Sequence, residues 1–129
     1  MNPMSASTLA PEVVVEGPVT VVVLGPGYQL VDEHVLDNGL RETLVDIADE
    51  AASPLVVLDL SHTRFFGSSF IEVLFRVWTR LQSRPGGAFA ICGLTPHCLD
   101  VLRIAHLDTL WHLFPNRDEA VLALAPADK

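Results

Sequence analysis

The chain has 129 residues and a mass of 14.0 kDa, a size that suits one domain. Half of it is hydrophobic and only 19% is charged, so it can fill a core and does not read as a disordered tail. A net charge of −8 argues against nucleic acid and against an anionic membrane surface, both of which attract lysine- and arginine-rich patches.

Residues 1–11 carry neither a basic segment nor an apolar one, so no secretory signal is read there. They are expected to form a short flexible leader before a domain over residues 12–126. No apolar run approaches the roughly 20 residues of a spanning helix. Cys92 and Cys98 match no common zinc spacing, and a reducing cytoplasm is the expected compartment.

EVVVEG (Glu12–Gly17) and VTVVVLG (Val19–Gly25) are β-branched runs parted by Gly17-Pro18, predicting two strands and a turn. GPGY then breaks the pattern. Between Val31 and Ala51, Leu36, Leu40, Leu44, Ile47 and Ala51 recur at three or four, which predicts an amphipathic helix. Ser53-Pro54 stops it, and LVVLDL (Leu55–Leu60) predicts a strand buried on both faces. A second helix is predicted from about Ser69 to Gln82, the most buried of the set, with Glu72, Arg76, Thr79 and Arg80 as its polar stripe. Pro85-Gly86-Gly87 is a turn and AFAICGL (Ala88–Leu94) another buried strand, within which Cys92 is a small core residue. Thr95-Pro96 opens a helix as N-cap and first residue, reaching about His106. LWHLF (Leu110–Phe114) predicts a short strand, and Asn116 or Asp118 starts a final helix. Strands alternating with helices imply one α/β domain with a mostly parallel or mixed sheet.

Charge is unevenly spread. Seven of the sixteen acids lie from Asp32 to Glu50, while four of the eight basic residues (Arg64, Arg76, Arg80, Arg84) lie from 64 to 84. Two faces of opposite sign suit a protein partner, and a solvated pair of helices would look the same.

Motifs for catalysis are weak. GPGYQL lacks the lysine of a Walker loop and the third glycine of a dinucleotide loop, so a plain turn explains it. His34, His62, His97, His106 and His112 form no metal pair on one helix, and neither metal nor cofactor is expected. A trio of Asp59, His62 and Ser68 can be drawn, but the glycine-serine-glycine elbow of a hydrolase is missing. Asp59, at a strand end, is expected to accept backbone N–H groups of the following loop. A catalytic role is therefore not expected.

The stretch TRFFGSSFIEV holds two serines. Ser69 and Glu72 fit the S-x-x-E capping box, in which Ser69 accepts the Glu72 amide and Glu72 reaches back. Ser68 then stands one residue outside the helix, free to face solvent. A register one residue earlier exchanges the two roles. A phosphate on Ser68 would lie at the positive end of the helix and add close to two negative charges to a docking face.

LVVLDLSHTRFFGSSFIEVL, GGAFAICGLTP and RIAHLDTLWHLFPNRDEAV together resemble the STAS domain of bacterial anti-sigma factor antagonists, over roughly Val13 to Ala125. The resemblance implies a four- to five-stranded mixed sheet with about four helices mostly covering one face. It implies partner switching: the antagonist binds an anti-sigma factor that is a serine kinase of the histidine-kinase-like ATPase type. Phosphorylation then breaks the complex, and a PP2C-type phosphatase restores it. The family's acceptor serine falls on Ser68, with Ser69 as the less favoured acceptor. The expected docking surface is Thr63, Arg64, Phe65, Gly67, Ser68 and Ser69, with Glu72, Arg76 and Arg80 on the helix. Two positions depart from the family pattern: Gly67 replaces the usual aspartate and Phe70 the usual glycine. An unphosphorylated STAS scaffold in a signalling complex is the alternative reading.

Overall fold

The computed structural model describes residues 10–125. The expected leader over residues 1–11 and the end of the domain at 126 thus lie largely outside the described residues. The two β-branched runs form β1 (Glu12–Glu16) and β2 (Val19–Val23), joined antiparallel through Gly17-Pro18 with Glu16 opposite Val19. A two-residue strand β3 (Leu30–Val31) follows. The helix α1 begins as one turn at Glu33–Val35, widens over Leu36–Leu40 and continues as Arg41–Glu50. Then come β4 (Leu55–Asp59), a two-residue β5 (Phe65–Phe66), α2 (Ser68–Gln82), β6 (Ala88–Cys92), α3 (Pro96–Ile104), β7 (His112–Phe114) and α4 (Arg117–Leu124).

The main sheet has the order β1-β2-β4-β6-β7, with β2, β4, β6 and β7 parallel and β1 antiparallel at one edge. Parallel neighbours require crossover helices, and those helices bury both faces of the central strands. On one face Val22, Leu58 and Ile91 meet Leu44 of α1, Leu74 of α2 and Leu102 of α3. On the other, Val21, Val57 and Ala90 meet Ala120 of α4. Three helices therefore cover one face and one covers the other. Cys92 is fully buried against α4, where desolvation pushes its thiol up to about 12 and keeps it protonated.

Charge between α1 and α2 is used internally. Arg80 pairs with Asp49, and the Arg84 guanidinium donates to the carbonyls of Ala48 (3.0 Å) and Ala51 (2.7 Å) at the end of α1. A cation at a helix C-terminus satisfies carbonyls that have no partner within the helix. Two of the four clustered arginines, Arg80 and Arg84, are thus used at an α1–α2 seam.

Two local features depart from the sequence reading. The periodicity of Leu36, Leu40 and Leu44 runs straight through α1, yet Gly39 takes φ +116° and the Arg41 N–H reaches back five residues to Leu36. The strands β3 and β5 are also new, pairing parallel as Leu30 with Phe65 and Val31 with Phe66. Two residues are too few to show a period of two.

Thr95 and Pro96 open α3 as expected, Thr95 Oγ1 accepting the Cys98 amide at 3.3 Å. Asn116 likewise accepts from Glu119 at 2.9 Å and starts α4. The far end of α3 closes on His106, which holds a left-handed φ of 62°. Its amide bonds Arg103 at 3.0 Å while that of Leu107 bonds Leu102 at 2.8 Å, the Schellman arrangement. An exposed histidine has no reason to occupy that conformation beyond chain continuity. His106→Gly is expected to raise stability by about 1 kcal/mol, read as a higher urea midpoint with an unchanged m-value.

Candidate functional site

The parallel strands β2, β4 and β6 end on the same side of the sheet, and their loops meet there. The segment Ser61–Gly67 is fixed by bonds to distant parts of the chain. Thr63 Oγ1 donates to the Tyr28 carbonyl at 2.9 Å. The amides of Arg64 and Phe65 both reach the Gln29 carbonyl, at 2.8 and 3.1 Å, and Gly67 N–H reaches Val31 at 3.4 Å. The Cys98 thiol of α3 donates to the Arg64 carbonyl at 3.3 Å. Asp59 accepts the Ser61 amide at 2.9 Å and so shapes the turn out of β4. A loop held at this many points presents its outward residues in a defined arrangement, which lowers the ordering cost of binding.

The outward residues mix apolar and cationic groups. Phe65 is 54% exposed and its pair partner Leu30 is 51% exposed, so the small β3–β5 ladder shows two apolar side chains to solvent. Phe65 also meets the His97 ring edge-on, with centroids 5.1 Å apart. Beside them Gln29, Ser61, His62, Arg64, Phe65 and His97 line an open groove of about 470 Å³. Among the described residues, Arg64 and Arg76 are arginines with no ion-pair partner, whereas Arg41, Arg80, Arg103 and Arg117 each face a carboxylate.

The helix start differs from the expected capping box. Gly67 is the N-cap (φ −104°, ψ −175°), with no side-chain bond to the helix, and Ser68 is the first helical residue. Ser69 lies one residue inside and its expected exchange of bonds with Glu72 is not formed, because the helix begins two residues earlier than the motif requires. Ser68 is exposed while Ser69 is half-buried. Phe70, in the position where the family pattern has glycine, is fully buried and packs against Phe66 at 5.3 Å between centroids. Its bulk points into the core, not toward a partner.

Thr63 also needs correcting. Expected at the docking surface, it is fully buried and its hydroxyl is committed to Tyr28. Glu72 and Arg76 stand exposed on α2, and Arg80 is engaged with Asp49. Asp59, His62 and Ser68 are not linked by any hydrogen bond among the described residues, where no cluster of metal-holding side chains occurs either. Leu30 and Phe75, both exposed, are missing from the docking surface expected from the sequence. Phe75, in the apolar run of α2, is 37% exposed and rests edge-on against Trp111 at 5.2 Å.

An open cap lends itself to substitution. A Cβ at Gly67 meets nothing within 4 Å and the backbone is extended, so aspartate fits there and can accept the free amides of the first turn. Gly67→Asp is expected to stabilise the fold by about 0.5 kcal/mol, read as a rise in Tm.

A five-stranded mixed sheet, three helices on one face, one on the other and a pinned loop leading into an exposed serine define a small α/β domain. The STAS domain family model matches residues 34–120, and the chain belongs to that family. A solved STAS anti-sigma-factor antagonist protein from Planctomyces limnophilus is 36% identical and superposes with a TM-score of 0.83, covering 90% of this chain and 98% of that one. An anti-sigma factor antagonist from Mycobacterium paratuberculosis is 23% identical (TM-score 0.75; 89% and 92% covered) and shares the fold. So does the Bacillus cell fate determinant SpoIIAA in its phosphorylated form, 16% identical (TM-score 0.66; 90% and 100% covered). No curated protein matches the chain in sequence. Among the described residues, no helix is long and apolar enough to cross a membrane.

Proposed function

We propose that the chain is an anti-sigma factor antagonist that works by partner switching in the cytoplasm, with Ser68 as the switch. It binds, through the pinned loop and the outer face of α2, an anti-sigma factor that is itself a serine kinase of the histidine-kinase-like ATPase type. Transfer of phosphate to Ser68 releases that partner, and a PP2C-type phosphatase restores binding. The chain is the substrate in this cycle and contributes no catalysis or cofactor of its own.

The observation that carries the reading is the state of Ser68. It is exposed at the first turn of a helix whose N-cap supplies no side-chain acceptor. A phosphate there meets unpaired amides and the positive end of a 15-residue helix, so it adds charge to the surface without unfolding the domain. Exposed Arg64, Phe65 and Leu30 on the adjoining loop and ladder, and Arg76 further along α2, are groups suited to a protein partner. The test is to incubate the protein with its co-encoded kinase and ATP and locate phosphate by mass spectrometry. Single modification at Ser68, lost in Ser68→Ala, is expected. Modification that persists in Ser68→Ala contradicts the assignment.

Gly67 favours a second reading, an unphosphorylated scaffold, because the carboxylate expected beside the serine is missing. In that case Ser68→Asp leaves partner affinity unchanged.

A further inference from the structure

The far edge of the sheet carries a second surface. Among the described residues β1 has no neighbour on its outer side. The tight Gly17-Pro18 turn makes Glu16 and Val19 the closing pair, so Glu12, Val14 and Glu16 bond toward β2 while Val13 and Val15 turn their N–H and C=O groups outward. The side chains of Val13 and Val15 are 48% and 69% exposed. They do not reach the core because β1 overhangs α1: the two valines, Ile47, Thr43, Asp46 and Glu50 line an open groove of about 380 Å³. Exposed edge backbone beside exposed valines is a liability in a soluble domain unless something pairs with it.

The charges around this groove select the occupant. Asp46 and Glu50 are exposed and have no ion-pair partner among the described residues. Glu12, at the start of β1, has none either. A second copy brings the same EVVVE strand, setting glutamates against an already acidic rim on a chain of net charge −8. Residues 1–9 contain no lysine or arginine to meet the acids. We propose that the β1 edge is a docking site for an extended basic segment of another protein, added as an antiparallel or parallel sixth strand. Its alternate apolar side chains lie on Val13, Val15 and Ile47, and its lysines or arginines meet Asp46 and Glu50. The site is separate from the Ser68 loop, so a partner held here remains bound when the Ser68 complex dissociates.

The test uses the full chain and two fluorescent heptapeptides, one alternating lysine and valine, the other glutamate and valine, at low salt. The lysine peptide is expected to bind and to slow amide exchange at Val13 and Val15. Asp46→Lys/Glu50→Lys, both at exposed helix positions, is expected to weaken it at least about tenfold and to favour the glutamate peptide. Val15→Lys, which leaves the backbone edge intact, checks the apolar contact and is expected to weaken the lysine peptide further. Equal binding of both peptides, insensitivity to the double substitution, or protection at the Ser68 loop in place of β1 overturns the proposal. A concentration-dependent dimer in sedimentation that Val15→Lys abolishes overturns it in favour of self-pairing.

Discussion

Phe70→Ala is expected to remove about 3–5 kcal/mol of stability, the loss of a fully buried aromatic together with the cavity it leaves. The ring stands in the first turn of α2, against Phe66 of β5, at the point where the loop Ser61–Gly67 enters the helix. A hole there also loosens the support beneath Ser68. Phe70→Leu keeps most of the volume and is expected to cost about 1.5 kcal/mol. Denaturant unfolding checks both: the midpoint falls strongly for alanine and modestly for leucine, with little change in m. An alanine variant within about 1 kcal/mol of the parent contradicts an inward Phe70.

Gly87→Ala is expected to cost about 3 kcal/mol or more. A Cβ at Gly87 falls 1.8 Å from the Leu81 carbonyl oxygen and 2.6 Å from its carbon, both backbone atoms. Relief requires moving the end of α2, where Arg84 N–H bonds Leu81 at 3.1 Å and Gly87 N–H bonds Arg84 at 3.0 Å. That same Arg84 clamps the carbonyls closing α1, so the displacement spreads to both helices. The neighbouring Gly86 separates collision from conformational strain. It holds φ +78° but a Cβ there meets nothing within 4 Å, so Gly86→Ala is expected to cost only about 1–2 kcal/mol. Calorimetric Tm values for the pair check this, and equal losses contradict the clash.

The sheet strands and all four helices were legible because their apolar residues repeat over whole elements. LVVLDL and AFAICGL are too apolar for anything but buried strands, and Thr95-Pro96 marks its helix through local capping chemistry. What failed to show depends on contacts distant in sequence or on one residue's backbone. Thr63 looks like a surface loop residue until the Tyr28 carbonyl, 35 positions away, is placed beside it. Leu30 and Phe65 sit in loops whose pairing no periodicity announces. At the start of α2 the S-x-x-E motif pointed to Ser69, but an extended Gly67 took the cap, two residues earlier. That shift places Ser68 on the first turn itself, still exposed, and leaves the open amides that a phosphate can use.

Partner switching at Ser68 is tested most directly by measuring affinity for the cognate anti-sigma kinase before and after stoichiometric phosphorylation. The unphosphorylated chain is expected to bind tightly. The Ser68-phosphorylated chain is expected to bind at least about 100-fold more weakly, since a doubly charged group is placed in the docking face. Equal affinities for the two forms contradict the switch.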